Sequence, residues 1–413
     1  MLLLAPARAQ QDLAQETYWQ ARLEAVLGQV MPASSLVVAV HEDWTGGAGN
    51  GLGTLYAYQK AKAKAASMHS VDLDALMLEG KSVALFHTAG KGTRLAPLPG
   101  AEANNKPGVK LPRVLSVAGR PTPVTILESV IQQVGIFAAK SAGRMSVYWG
   151  DQIFIPSKVV STTSTHHADI LCQLGPMVSA EEWEAKGLGS YGLIATNSAG
   201  NAAQVEKVTH AIATKLLAEL GDVTEVGPSM GSFSLSGPLL AVMMAEFASE
   251  LEAKVGSFDT DPHFWMPMTL PKAGYVETMV GKGESEVRAS GHWERVRAMM
   301  GAFLASPAGA GKGIFGAVDV GADGYWWDYG QVQFYHRYNL LCCAAGEEGT
   351  FYRKFFGISE TDRTSTSTVS GVTVDSASCV LASTVGAVSF LLFIFYSLKY
   401  CTVSFCVRIL LTA

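Results

Sequence analysis

Charged residues are scarce in this chain, and no stretch of it forms a basic stripe. Of the 413 residues, 16% are charged, and the formal net charge is −5. Nucleic-acid-binding surfaces need a continuous band of lysine and arginine, so the composition argues against a nucleic-acid partner. A hydrophobic fraction of 48% at this length allows one large α/β domain, or two domains of ordinary size, with a sizeable core.

The chain also lacks the cysteine patterns of zinc sites and of secreted disulfide frameworks. There is no CxxC spacing among its six cysteines, which are Cys172, Cys342, Cys343, Cys379, Cys401 and Cys406. The N-terminal MLLLAPARAQ has neither a basic n-region nor a full apolar h-region, so it does not predict a signal peptide. These absences favour a reducing, cytoplasmic location.

Apolar strands alternate with amphipathic helices along most of the chain. Strands are predicted at 35–40, 82–87, 145–150, 169–174, 191–196, 204–208, 231–235 and 314–320. Helices are predicted at 10–31, from Thr54 to the mid-sixties, and at 123–139, 209–220, 236–254 and 291–305. This alternation predicts an α/β fold with a mixed, mostly parallel sheet and helices on both faces.

Composition suggests four segments. We expect a helical extension over residues 1–34 and a single catalytic domain over 35–357. Residues 358–379 are rich in Ser and Thr, which fits either a linker or the first rung of a left-handed β-helix. The tail 380–413 is hydrophobic, with no charge from Val380 to Leu398. By length it is a transmembrane candidate, but the abrupt change in composition favours an artefactual terminus, so membrane contact is expected only if the tail is genuine.

Positive charge is concentrated in HTAGKGTRLAPLPGAEANNKPGVKLP at 87–112, which follows a predicted strand. A glycine-rich turn after a strand exposes backbone N–H groups to phosphate oxygens, and Arg94 adds a guanidinium suited to phosphate. The turn is not a P-loop, because Gly92 follows Gly90-Lys91, and the dinucleotide pattern G-x-G-x-x-G does not fit either. In an acidic chain, such local positive charge indicates a small anionic ligand.

The turn resembles the nucleotide-binding signature of the sugar-1-phosphate nucleotidylyltransferases, L-x-G-G-x-G-T-R-L followed by Lys-Pro. The positions that correspond to the signature are Gly90, Gly92, Thr93, Arg94 and Leu95, with Ala89 in place of its first glycine. Lys106-Pro107 corresponds to the lysine-proline pair, and Lys110 is a rival because the intervening loop is longer than usual. The resemblance implies that these residues bind the nucleotide, with Arg94 and Lys106 holding the triphosphate.

Further motifs of this family follow in order, so that the resemblance spans roughly residues 35–345. VYWGDQIFIP at 147–156 resembles the motif whose aspartate binds the catalytic Mg²⁺, which implies Asp151. GYWWDYGQVQFY at 324–335 resembles W-x-D-x-G-T, which implies Asp328 as the second metal ligand, although Gln331 replaces the threonine. MGSFSLSGPLL at 230–240 is similar to the family's glycine-containing strand, with Met230 in place of asparagine.

The sugar-binding part of the family is represented by YGLI at 191–194 and VEK at 205–207. The resemblance implies that Gly192 offers its backbone to the sugar, that Glu206 binds sugar hydroxyls, and that Lys207 binds the sugar phosphate. The family fold is a Rossmann-like nucleotide-diphospho-sugar transferase fold.

The segment VVAVHEDWTGGAGNGLGTLYAYQKA resembles, more weakly, the N-terminal glycine loop of fucose-1-phosphate guanylyltransferases. The positions that carry this likeness are Gly49, Gly51, Gly53 and Thr54, while Glu42-Asp43-Trp44 replaces the usual aspartate-proline. The alternative is a plain glycine-rich connection between a strand and a helix.

The resemblance implies an enzyme whose substrates are a nucleoside triphosphate and a sugar 1-phosphate and whose cofactor is Mg²⁺. Alternatives of other classes are a non-catalytic regulatory subunit that binds sugar nucleotides and a membrane-anchored scaffold. The sequence leaves the base, the sugar and the oligomeric state open. A homo-oligomer is compatible with it.

Overall fold

A computed structural model of the protein describes residues 2–5, 9–88, 93–102, 105–160, 163–364, 367–370, 374, 378–380 and 384–385. Three of the predicted nucleotide-binding residues, Ala89, Gly90 and Gly92, lie outside these ranges. The predicted hydrophobic tail, 380–413, also lies outside them apart from residues 380 and 384–385.

The described residues form strands and helices in the following order. The strands are β1 (Leu2–Ala5), β2 (Val38–His41), β3 (Val83–His87), β4 (Lys110–Val117), β5 (Arg120–Thr125), β6 (Arg144–Trp149), β7 (Gln152–Ile155), β8 (His166–Cys172), β9 (Gly175–Pro176), β10 (Gly192–Asn197), β11 (Ala202–Glu206), β12 (Val223–Ser236), β13 (Gly313–Asp319), β14 (Tyr325–Asp328), β15 (Thr368–Val369) and β16 (Thr384–Val385). The α-helices are α1 (Ala9–Glu24), α2 (Gly49–His69), α3 (Leu73–Leu78), α4 (Ile126–Lys140), α5 (Ala180–Ala185), α6 (His210–Leu217), α7 (Gly237–Glu246), α8 (Ala248–Ala253), α9 (Met266–Thr269), α10 (Lys272–Gly281), α11 (Glu286–Leu304), α12 (Val332–Asn339) and α13 (Glu347–Phe356).

The main sheet has ten strands and is mixed. Along its principal path the order is β11-β10-β12-β6-β3-β1-β2, and β8, β9 and β13 branch from it through β12 and β8. Pairing is parallel among β2, β1, β3 and β6 and between β8 and β13. The long strand β12 is antiparallel to β6, β8, β9 and β10. The sheet is therefore only partly parallel, and not mostly parallel as expected. The expectation was wrong because apolar runs predict strands but not the direction of each strand.

Helices cover both faces of this sheet, as predicted, because successive residues of the central strands are buried on opposite sides. One core contains Val38, Leu85, Val147 and Ile170, which pack against α2, α7 and α11. The other core contains the next residue of each strand. These residues, Ala39, Phe86, Tyr148 and Leu171, pack against α1 and α4. A third, smaller core lies around β10, β11, α6 and α10.

Polar caps fix where several of these helices begin. Thr125 ends β5 and starts α4 through a capping box, in which its hydroxyl accepts from Glu128 N and the Glu128 carboxylate accepts from Thr125 N. Ser236 ends β12 and caps α7, and its side-chain hydroxyl accepts one hydrogen bond, from Leu239 N. Each cap turns the chain from strand to helix within one residue.

The N-terminal segment departs from the expected helical extension. Helix α1 overlaps the predicted 10–31 but ends at Glu24, and Leu2–Ala5 forms a strand inserted in parallel between β2 and β3. The short apolar run at the N-terminus therefore takes part in the main sheet.

The chain continues to pack after residue 357. Ile358, Cys379 and Val380 are buried, and Val380 N donates to Arg363 O at 2.9 Å. The two-residue strands β15 and β16 pair in parallel. Among the helices that the structure describes, none combines the length and the apolar character needed to cross a membrane.

Candidate active site

Two of the predicted metal ligands are brought together by a small antiparallel ribbon. Asp151 follows β6 and immediately precedes β7, and Asp328 is the last residue of β14. Strands β7 and β14 pair with Gln152 opposite Asp328, and Tyr329 N donates to Asp151 O at 2.9 Å. The pairing thus places both aspartates at the same end of the ribbon, although they are far apart in sequence.

Both carboxylates face Gly330. A Cβ atom on Gly330 would lie 2.8 Å from Asp328 Oδ1 and 3.4 Å from Asp151 Oδ2, and Gly330 N donates to Asp328 Oδ1 at 2.7 Å. Burial, and next the negative charge of Asp151, raise the pKa of Asp328 above its usual range. Two facing carboxylates form a site suited to a cation.

Two cations already balance this negative charge. Lys106 lies in the turn Lys106–Gly108 and its ammonium group forms an ion pair with Asp151 Oδ2. Arg94 is exposed in the turn Thr93–Leu95, and its charge, like that of Lys106, acts to lower the pKa of Asp328. The structure therefore brings together Arg94, Lys106, Asp151 and Asp328.

The rival lysine has different partners. Lys110 Nζ lies 2.9 Å from Glu102 Oε2 and donates to Gly108 O at 2.9 Å. Of the other predicted nucleotide-binding residues, Thr93 is described by its backbone alone.

The predicted sugar-binding residues also meet. Gly192 lies directly opposite Glu206 in the antiparallel pair β10–β11, and a Cβ on Gly192 would lie 2.5 Å from Glu206 Oε2. A side chain at this position would force the Glu206 carboxylate to move. Lys207 Nζ lies 2.9 Å from Glu206 Oε1, and Lys207 has a left-handed backbone with φ of 53°. Lys207 follows the last residue of β11, and its N–H donates to Tyr191 O at 3.1 Å.

Strand β12 connects these two groups of residues. Phe233 pairs with Val147 of β6, and further along β12 Pro228 pairs with Leu193 of β10. Between them, a Cβ on Gly231 would lie 2.3 Å from Trp149 Nε1, just before Asp151. Asp151 follows the end of β6, which is parallel to β3, and the register of β12 places Gly192 near the same end of these strands, where ligand sites in α/β sheets lie.

No protein-family model matches the chain, and no curated protein matches it.

Two residues that lie beside the predicted sugar-binding residues were not themselves predicted. Gln204 Nε2 and Asp261 Oδ2 would lie 3.2 Å and 3.7 Å from a Cβ on Gly192. Gln204 precedes the VEK motif on the same face of β11, so the period-2 pattern of a strand could have indicated it. Asp261 lies in the DPHFW segment, which has no pattern that distinguishes it from the start of an ordinary helix.

The glycine run at the start of α2 has a packing role that its sequence did not reveal. A Cβ on Gly49 or Gly51 would lie 2.6 Å or 2.8 Å from the carbonyl oxygen of Phe258. That oxygen accepts from Gly51 N at 2.8 Å and from Leu52 N at 3.1 Å. The first turn of α2 therefore binds another part of the chain, which favours the reading of this run as a structural connection.

Thr54, the last predicted residue of this run, contacts the end of β3. Its Oγ1 donates to Asn50 O at 2.8 Å and lies 2.7 Å from Nε2 of His87. His87 is buried and stacks on Trp149 with ring centroids 5.0 Å apart. Burial lowers the pKa of His87 to about 4, so this histidine is neutral and packs between α2 and β6.

The residues present fit a magnesium ion. Within the described ranges no group of three or more His, Cys, Asp and Glu side chains is placed to hold a metal. Mg²⁺, however, is commonly bound through one or two carboxylates together with waters and substrate phosphates. Asp151 and Asp328 provide two such carboxylates.

Proposed function

We propose that the chain transfers a nucleotidyl group from a nucleoside triphosphate to a sugar 1-phosphate and releases pyrophosphate. The fold that we propose is a Rossmann-like nucleotide-diphospho-sugar transferase fold, with β15 and β16 beginning a left-handed β-helix. The observation that carries the function is the meeting of Asp151 and Asp328 with Lys106 and Arg94 at the edge where β3 and β6 end. The pair Glu206–Lys207 lies along the same edge and supports it.

Each side chain has a role that follows from its charge. Arg94 and Lys106 bind the triphosphate, and Lys207, which is largely exposed, binds the incoming sugar phosphate. Both reactants are anions, so holding them in line for attack on the α-phosphorus removes a large entropic and electrostatic barrier. Positioning alone contributes about 7–11 kcal/mol in well-oriented reactions. The reaction forms one P–O bond and breaks another, and it needs no protein nucleophile.

Asp151 and Asp328 would hold Mg²⁺ here, and the ion would supply charge neutralisation at the reacting phosphate. Lys106 forms an ion pair with Asp151 and so lies beside the proposed metal site. In this arrangement the lysine and the two aspartates act on the same phosphate chain.

A pyrophosphate-release screen of the four nucleoside triphosphates against a panel of sugar 1-phosphates tests the proposal. We expect at least one pair to give Mg²⁺-dependent release that is lost in Asp328→Asn. Release from GTP with fucose 1-phosphate would identify the guanylyltransferase specificity. Binding of sugar nucleotides without release from any pair would contradict the proposal and identify a regulatory subunit.

A further inference from the structure

Three polar side chains surround Gly192, and one of them is Asp261. A Cβ on Gly192 would lie 2.5 Å from Glu206 Oε2, 3.2 Å from Gln204 Nε2 and 3.7 Å from Asp261 Oδ2. Two carboxyl groups and an amide therefore converge beside the bare backbone of Gly192.

One carboxylate oxygen of this group is left for a ligand. Glu206 is only 8% exposed, and its Oε1 lies 2.9 Å from Lys207 Nζ. Its Oε2 is buried and has no hydrogen-bond partner among the residues that the structure describes. A buried carboxylate oxygen without a donor is costly, so the site is suited to a ligand that brings hydroxyl donors.

The position of Asp261 is fixed by the first turn of α2. Asn50 N donates to Asp259 Oδ1 at 2.9 Å, and Thr260 N donates to Asn50 Oδ1 at 2.6 Å. With the two hydrogen bonds that Phe258 O accepts, this clamp holds residues 258–260 immediately before Asp261. The carboxyl group of Asp261 is therefore placed beside Glu206 before any ligand binds, which makes it a preorganised contact.

The charge of this group restricts what can bind. Burial, and next the negative charge of Glu206, raise the pKa of Asp261 to about 7. At neutral pH its carboxyl group is therefore present in both forms, and it can donate a hydrogen bond as well as accept one. A third carboxylate placed beside Glu206 and Asp261 would be repelled.

We propose that Asp261 binds sugar hydroxyls together with Glu206 and Gln204, and that these residues select neutral sugar 1-phosphates against uronic acid 1-phosphates. The proposal rests on the proposed function, because it assigns a sugar to the site beside Lys207. It adds a specificity-determining residue and a substrate class.

The test uses the full chain and two matched pairs of substrates that differ only in a C6 carboxylate. These are glucose 1-phosphate with glucuronic acid 1-phosphate, and galactose 1-phosphate with galacturonic acid 1-phosphate. We expect the wild type to prefer the neutral member at least about 100-fold in kcat/KM. In Asp261→Asn we expect the KM for the neutral sugar phosphate to rise about tenfold or more and the KM for the nucleotide to stay unchanged. We also expect the preference in kcat/KM for neutral sugars over uronic acids to decrease.

Three outcomes would contradict the assignment. These are an unchanged sugar-phosphate KM in Asp261→Asn, an unchanged discrimination against uronic acids, and an equal rise in the KM of both substrates. The last would show that Asp261 only supports the fold. Asn has the shape of Asp, and a lower thermal midpoint for the variant would also indicate a structural role.

Failure of the proposed function is distinguishable from failure of this inference. If the wild type releases no pyrophosphate with any pair, the shift of the thermal midpoint with each sugar 1-phosphate replaces the kinetic measurement. A shift with the neutral sugars that is lost in Asp261→Asn supports the binding site, and an equal shift in both proteins overturns it.

Discussion

Lys106, in a turn, and Lys110, at the start of β4, are chemically identical side chains, but they have different partners. Lys106 forms an ion pair with Asp151, whereas Lys110 forms one with Glu102. We therefore expect Lys106→Met to lower kcat/KM for the nucleotide by about 100-fold or more, as the loss of one charged contact at a reacting phosphate does. Lys110→Met is the matched control and should retain activity within about threefold. Pyrophosphate release measures both, and a larger loss in Lys110→Met would show that the lysines have been assigned the wrong way round.

Under the proposed function, Asp328 serves as a metal ligand and not as a packing residue. Burial beside Asp151 raises its pKa, so the ionised form is disfavoured in the folded protein. We expect Asp328→Asn to lower turnover by at least about 100-fold while leaving the thermal midpoint unchanged or slightly higher. Asp151→Asn should lose turnover to a similar extent. Full activity in either variant would rule out the two-aspartate site.

His87 joins three elements, because it ends β3, contacts Thr54 of α2 and stacks on Trp149 of β6. Its pKa falls from 6.5 to about 4 on burial. The unfolded chain therefore takes up a proton below about pH 6.5 while the folded chain does not, so stability is lost as the pH falls. This histidine should account for about 2 kcal/mol of the stability lost between about pH 7.5 and pH 5. Urea unfolding of the wild type and His87→Gln at both pH values checks this, and equal losses would contradict it.

The start of α2 provides a matched pair of glycines. A Cβ on Gly51 would lie 2.8 Å from Phe258 O, whereas on Gly53 the nearest atom would be 4.0 Å away. We expect Gly51→Ala to destabilise the protein by about 2 kcal/mol, because the clamp on residues 258–260 must shift. Gly53→Ala should instead stabilise it by up to about 1 kcal/mol, since alanine is the better helix former. Denaturant unfolding measures the change in unfolding free energy for both variants. A change of the same sign in both would mean that neighbouring residues move to accommodate the Cβ at residue 51.

The sequence predicted those elements whose own residues carry the signal. The apolar runs at 83–87 and 144–149 and the amphipathic helix at 126–140 form where expected. It did not predict β1, because four apolar residues at an N-terminus indicate no partner strand, nor the antiparallel direction of β12. The motif resemblance named Asp151 and Asp328 as site residues, and the pairing of β7 with β14 brings them together. Asp261 could not be found, because its position depends on contacts with α2 that no local pattern encodes.

The packing of the whole chain suggests where it can be shortened. Ile358 and Cys379 belong to the same core as α1 and α4, and Val380 is buried beside them. A chain that ends at residue 357 should therefore lose at least about 2 kcal/mol of unfolding free energy relative to one that ends at residue 385, because buried apolar groups are removed. The two chains should be compared by urea unfolding, with equal midpoints as the contradicting result. The chain ending at 385 should also equal the full chain in pyrophosphate release and stay in the supernatant after carbonate extraction. If only the full chain is active and remains with the membrane pellet, residues 386–413 are an anchor that the reaction requires.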